Sequence, residues 1–437
     1  MNRVCLAAFL FFAASAASWG QQPDPEIVSY INSIKAIDNH AHVTALDREH
    51  DKGYDQLRCD GLPSSNALPP ANLRFGPDQQ AAYRTLYGFE AKTGDEAELK
   101  KVTELETAAR REHGADFYAW VLEKAGIETV FANRTAMAPE MKPPQLRWVA
   151  YEDALIFPLD NSRQKAVNPD RRVFYGYAED LLQTYLQDTG MSRIPAALDD
   201  YVDKVVRATL QKQKNAGAMA VKFEAAYLRP LDFAPASKDE AARVYGKYAE
   251  GGLATPAEYK ALQDFLFKQI ALEAGKLGLA VHFHTGSGCG DFFDDSGADP
   301  MLLSPILNDP DLRKTNIVLL HGNPPRERNV SMLILKPNVY TDMSVLELLW
   351  SPVELAHILR PYLEMAPEHV MFGTDAGPFA PGLEWEETTI IGTQHARRAL
   401  AIGLSEMVRD GTITRDRAKE IANLVLRGNA AKLYRLD

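Results

Sequence analysis

Cysteine is scarce, with three in 437 residues. Cys5 falls in an apolar leader, and the two that follow, Cys59 and Cys289, lack the spacing of a cysteine metal module. No basic block is present: Lys and Arg number 48 against 59 Asp and Glu, a formal charge of −11. An acidic chain of this kind argues against nucleic acid as a partner. After the leader, no run is long and apolar enough to span a bilayer. No glycine fingerprint follows the first strand, which speaks against a doubly wound dinucleotide-binding sheet. No internal repeat or low-complexity tract is visible.

What is there is ordinary globular composition, 46% hydrophobic and 24% charged. Length alone suits two or three domains, yet α/β barrels with insertions exceed about 400 residues as one domain. Met1-Asn2-Arg3 is a basic start, Val4 to Phe12 is apolar, and Ala/Ser-rich sequence runs to Gly20. That pattern predicts a signal peptide over residues 1–20, cleaved near Gly20-Gln21. A membrane anchor is the alternative, but the apolar run is short and its flank is no stop-transfer pattern. The mature chain, 21–437, is therefore expected to be exported, periplasmic or secreted, with no membrane partner.

Short apolar strands alternate with helical stretches throughout the second half of the chain. Strands are predicted to begin near residues 36, 127, 148, 218, 279, 316, 339 and 369. The second of two apolar runs in the third strand region is Leu155-Ile156-Phe157. Helices are predicted over 24–34, 80–124 with a break near Thr93-Gly94, 197–214, 255–276, 299–308, 325–335, 351–364, 386–409 and 414–427. Eight parallel strands with helices outside make an α/β fold, a (β/α)8 TIM barrel in a single domain. Long insertions follow strands 1 and 4, near 44–110, of which 44–79 is a polar loop, and near 227–252.

The polar residues fall where such a barrel keeps its chemistry. In Ala36-Ile37-Asp38-Asn39-His40-Ala41-His42-Val43, His40 and His42 are two apart and share a face. His42, His284, His321 and Asp375 each end a predicted strand, at the active-site rim of a parallel barrel. Each has a bland alternative: the H-x-H pair as surface residues, His284 and His321 as core histidines, Asp375 as a helix N-cap. Together they make sense around a cation held by His40, His42, His284 and Asp375. Three imidazoles and a carboxylate suit a divalent metal, zinc first, with iron or manganese as alternatives. His282 lies one layer deeper, as barrel filling or a partner to the ligands. Lys222 is either a buried lysine paired with Glu224, a carboxylated lysine bridging two metals, or an ammonium for a substrate carboxylate.

Asp38-Asn39-His40-Ala41-His42, Phe283-His284-Thr285-Gly286, Leu320-His321-Gly322 and Phe372-Gly373-Thr374-Asp375-Ala376 together resemble the amidohydrolase superfamily. They are most similar to its amidohydrolase-related branch of hydrolases, decarboxylases and uronate-isomerase-like members. The closing Arg427-Gly428-Asn429-Ala430-Ala431-Lys432-Leu433-Tyr434 resembles that branch's ending. The resemblance covers essentially all of the mature chain. It implies the barrel, a metal at His40, His42, His284 and Asp375, and a role for His321 against substrate or a second ion. By strand order it places Lys222 with the lysine carboxylated in some relatives. One ion or two is left open.

The expected activity is hydrolysis of an amide, ester or similar carbonyl bond in a small molecule, with a metal-activated water. Asp375 moves the proton, and His321 stabilises the oxyanion or orients the carbonyl. Arg229 is a candidate for gripping an anionic substrate, with a solvated loop arginine as the alternative. The rivals are a metal-dependent decarboxylase or isomerase on the same scaffold, and a catalytically silent exported binding protein. A homo-oligomer is left open. For Cys59 and Cys289 two free thiols are expected, with a bond pinning the first insertion over the pocket as the alternative.

Overall fold

A computed structural model describes residues 22–57, 75–167 and 171–436. The leader expected over 1–20, and Cys59, lie outside them. Eight parallel strands pair in chain order: β1 Ala36–Ala41, β2 Ile127–Asn133, β3 Leu146–Tyr151, β4 Ala218–Phe223, β5 Ala280–His284, β6 Ile317–Leu320, β7 Val339–Asp342 and β8 Val370–Met371. The sheet closes on itself. Asn39 N donates to Phe372 O at 2.9 Å, Asp375 N to His40 O at 2.7 Å and His42 N to Ala376 O at 2.7 Å. This is a (β/α)8 barrel.

The helices begin and end where local chemistry dictates. Asp24 caps Pro25–Ser33 by accepting from Glu26 N at 2.9 Å. Thr255 and Glu258 form a reciprocal capping box for Pro256–Leu277, and Gly278 ends that helix at φ 69°. This helix decides which way two strands face. Phe223 and Phe283 each meet its Phe267 with ring centroids 5.3 Å apart. They therefore point outward, and by alternation Lys222, His282 and His284 point into the barrel.

The barrel interior is filled from below. Ile37, Phe131, Val149, Ala220, Val318, Leu320 and Met371 form one buried cluster with Ala430, Ala431 and Tyr434 of the last helix, Asn429–Tyr434. The polar residues are thereby confined to the upper layers, at the strands' C-terminal ends.

Three expectations change. Leu155-Ile156-Phe157 is no strand: it belongs to the buried helical turn Asp153–Ile156 and its cap. A short apolar run has no periodicity to separate the two, and β3 has already ended at Tyr151. The helices Ser162–Val167 and Arg172–Asp188 fill a stretch to which the sequence assigned no element. Cys289 is disulfide-bonded rather than a free thiol. Pairing depends on proximity in space, which spacing does not encode, and neither other cysteine lies among the described residues. No helix among those residues is long and apolar enough to cross a membrane.

Candidate metal centre

Strand alternation alone does not build this site. On β1, Ile37 faces the inner cluster, and Asn39 reaches across the barrel to Asp342 Oδ2 at 3.0 Å. Alternation would then turn His40 outward. The β1–β2 register slips between Asp38 and Ala41, which lets successive residues face in. On β6, Leu320 faces inward, and His321 is redirected inward by a left-handed backbone, φ 70°. Asp375 (φ 52°), Asn323 (φ 52°) and Val345 (φ 63°) share that conformation. Left-handed backbone at non-glycine residues is costly, most of all for a β-branched valine, and clusters where function needs it.

These adjustments bring three ligand atoms together. Asp375 Oδ1 lies 2.8 Å from His40 Nε2 and 3.1 Å from His42 Nε2. Yet Asp375 Oδ1 has no aligned hydrogen-bond partner among the described residues. The three ligand atoms all lie within 4.8 Å of one another. Two imidazole nitrogens and a carboxylate oxygen, on buried His40 and half-buried His42 and Asp375, suit a divalent cation.

His284 stands beside this group rather than in it. Its ring is 4.6 Å from that of His321, whose ring is 5.3 Å from that of His40. A proton chain can be read here. His321 Nδ1 faces the Ser344 carbonyl at 3.1 Å and Ser344 Oγ at 2.9 Å. A carbonyl only accepts, so His321 Nδ1 carries the proton and its Nε2 is a lone pair. That lone pair accepts from His284 Nδ1–H at 3.0 Å. His284 Nε2 is then an unprotonated nitrogen, buried and without a partner among the described residues. This orphaned acceptor is a further sign that a cation belongs here. With its proton on Nδ1, His321 turns its lone pair to His284.

Electrostatics set His40 and His284 apart from His42. Burial, then the Lys222 ammonium, hold His40 well below the usual histidine range. Burial and the adjoining His321 do the same for His284. His42 differs: burial opposes its charge, but Asp55 and Asp375 on either side push it up to about 10.

Lys222 Nζ lies 3.3 Å from His40 Nε2 and 4.0 Å from Glu224. Arg229 is elsewhere. Its guanidinium pairs with Asp264 at 2.9 Å and Asp232 at 3.1 Å, contacts Gln263 at 3.1 Å, and lies over the Phe233 ring. It braces the second insertion and presents no free face to a substrate. Tyr227 packs on His284 with ring centroids 4.6 Å apart, and Phe293 packs on both.

Sequence reasoning missed several supports. Asn133 lies 2.5 Å from His40 Nδ1, and Asp342 accepts from His321 N at 2.9 Å and Ser344 Oγ at 2.7 Å. Both end a strand, so the rule that picked out Asp375 would have found them. Asp55, 2.9 Å from His42 Nδ1, comes from the first insertion and carried no signal.

An eight-stranded parallel barrel with a His, His, carboxylate cluster at its C-terminal rim defines a class of metal-dependent enzymes. The family model described as amidohydrolase matches residues 37–436, and the chain belongs to that family. Among solved structures it is similar to glucuronate isomerase from Caulobacter crescentus, at TM-score 0.64 and 16% identity, over 94% of this chain and 93% of that one. A candidate metal-dependent hydrolase from Lactobacillus casei matches at TM-score 0.59 and 16% identity, over 94% and 97%. Uronate isomerase from Thermotoga maritima matches at TM-score 0.56 and 15% identity, over 94% and 96%. At these identities the likeness is one of fold. A comparison with curated proteins finds no match.

Proposed function

We propose that this protein is an exported metal-dependent hydrolase acting on a carbonyl bond of a small molecule, zinc being the first candidate ion. The observation that carries this is the cluster of Asp375 Oδ1 with His40 Nε2 at 2.8 Å and His42 Nε2 at 3.1 Å. His40, His42 and Asp375 would hold the ion, and His284 Nε2 offers a fourth donor. When bound, such an ion supplies Lewis acidity for the scissile carbonyl and an acidified water.

The chain's own residues do the rest. Asp375 takes the water's proton and returns it to the leaving group. His321 fixes the tautomer of His284. Tyr227 and Phe293 wall the pocket on the His284 side and exclude water from it. Lys222 serves as a carboxylated bridge to a second ion or as an ammonium facing a substrate carboxylate. A mass increase of one CO₂, lost in acid, distinguishes them.

One observation favours a second reading. His284 lies outside the three-atom group. If only three residues bind, the His284–His321 pair is left free to carry a proton between adjacent carbons, as an isomerase requires. The test is turnover of the zinc-loaded protein on amides, esters and lactones alongside uronates, with Asp375→Asn as control. Hydrolysis abolished by the substitution supports the proposal. Isomerisation alone, or hydrolysis unchanged in Asp375→Asn, overturns it.

A further inference from the structure

We propose that Asp55 is a positioning residue for His42, and that residues 51–57 of the first insertion thereby set the affinity of the metal centre. The inference rests on the metal reading above. Asp55 Oδ2 lies 2.9 Å from His42 Nδ1, on the side of the ring opposite Asp375, and its side chain is 8% exposed. A carboxylate can only accept here, so Nδ1 carries the proton and Nε2 is the atom left for an ion. The Tyr151 hydroxyl lies 3.4 Å from the same Nδ1. An outer carboxylate on a ligating histidine fixes the ring's tautomer and orientation and raises its basicity.

Asp55 is held by a built seat. Asp51 accepts from Arg134 Nη1 at 3.0 Å, and the same guanidinium donates to the carbonyls of Val43 at 2.6 Å and Ala136 at 2.9 Å. Arg134 is 1% exposed. Gly53 O accepts from Thr135 N at 3.0 Å and Ala136 N at 3.3 Å. A Cβ on Gly53 would lie 2.4 Å from the Ala136 carbonyl oxygen, so only glycine lets the two backbones approach this closely. Gln56 and Leu57 are buried next to Asp55. The segment is therefore fastened to the chain just beyond β2, and its carboxylate is carried rigidly onto His42. A shift of residues 51–57 would then be felt at His42.

The test compares wild type with Asp55→Ala, Asp55→Asn and Gly53→Ala. Zn²⁺ and Co²⁺ affinities are measured against a chromophoric chelator, the His42 Nδ1–H signal is followed by ¹⁵N NMR, and folding is checked by circular dichroism. Asp55→Ala is expected to weaken binding by about 10- to 100-fold and to lose the fixed Nδ1–H signal. Asp55→Asn, whose amide oxygen still accepts from Nδ1–H, is expected to restore most of both. Gly53→Ala, which leaves the carboxylate intact, is expected to weaken binding in the same direction. Folded Asp55→Ala that binds within about twofold of wild type, or more tightly, overturns the inference while leaving the metal reading standing. Should Asp55→Ala not fold, Gly53→Ala carries the test, and unchanged affinity there overturns it. A wild-type chain that binds neither ion overturns the metal reading and this inference with it.

Discussion

The Tyr434 hydroxyl meets His282 Nε2 at 2.7 Å inside the barrel, and it donates to Asn39 Oδ1 as well. Asn39 Nδ2 donates onward to Asp342 Oδ2 at 3.0 Å. The other oxygen of Asp342 takes Ser344 Oγ, which meets His321 Nδ1. The last helix, which plugs the bottom of the barrel, is thus joined by side-chain hydrogen bonds to the histidine at its top.

Tyr434→Phe breaks that chain at its first link. It strips a donor from buried Asn39 and an acceptor from buried His282. Unsatisfied buried groups of this kind cost about 1–3 kcal/mol each. A loss of about 2 kcal/mol in urea unfolding, with unchanged slope, is expected. A loss below about 0.5 kcal/mol would show that the links carry little.

His321→Ala removes the acceptor that fixes the His284 tautomer. Metal affinity is expected to fall about tenfold, as for other groups behind a ligand. Removing His40 or Asp375 should abolish binding. If His321→Ala also abolishes binding, His321 is itself a ligand and the proton chain read from Ser344 is wrong.

Arg229→Ala is expected to act on stability and leave KM alone. It leaves Asp264, 4% exposed, with Lys260 at 2.6 Å as its remaining partner. A loss of about 1–3 kcal/mol is expected for a half-broken buried pair. A raised KM for an anionic substrate with unchanged stability would return Arg229 to the pocket.

Asp51 gives a pH signature. Burial would raise its carboxyl, but hydrogen bonds from Arg134 and its charge hold it below the ordinary aspartate value of 3.8. A carboxyl depressed in the folded state binds fewer protons there than when unfolded, so it stabilises at pH above 3.8 and that stability is lost as pH falls through its folded value. Asp51→Asn should therefore be less stable than wild type at neutral pH, and the difference should shrink below about pH 4. A difference constant down to about pH 2 would contradict the pairing.

The barrel was legible because apolar strands and capped helices repeat in order, and because His40, His42 and Asp375 sit at strand ends. Local residues fix both features. What was not legible depends on backbone detail or distant packing. The left-handed turn at His321 and the register slip beside His40 decide which side chains face in, and neither has a sequence signature. The bracing contacts of Arg229 were not legible because its partner Asp264 lies thirty-five residues away on the helix Pro256–Leu277. Asp55 was missed because a polar loop residue announces nothing until the loop is placed against His42.

Metal content of the purified chain, exchanged against Zn²⁺ and dialysed, bears most directly on the central claim. Wild type is expected to keep at least about one ion per chain, and Asp375→Ala and His40→Ala to keep almost none. Wild type emerging with no stoichiometric ion, or folded variants retaining as much as wild type, would contradict it.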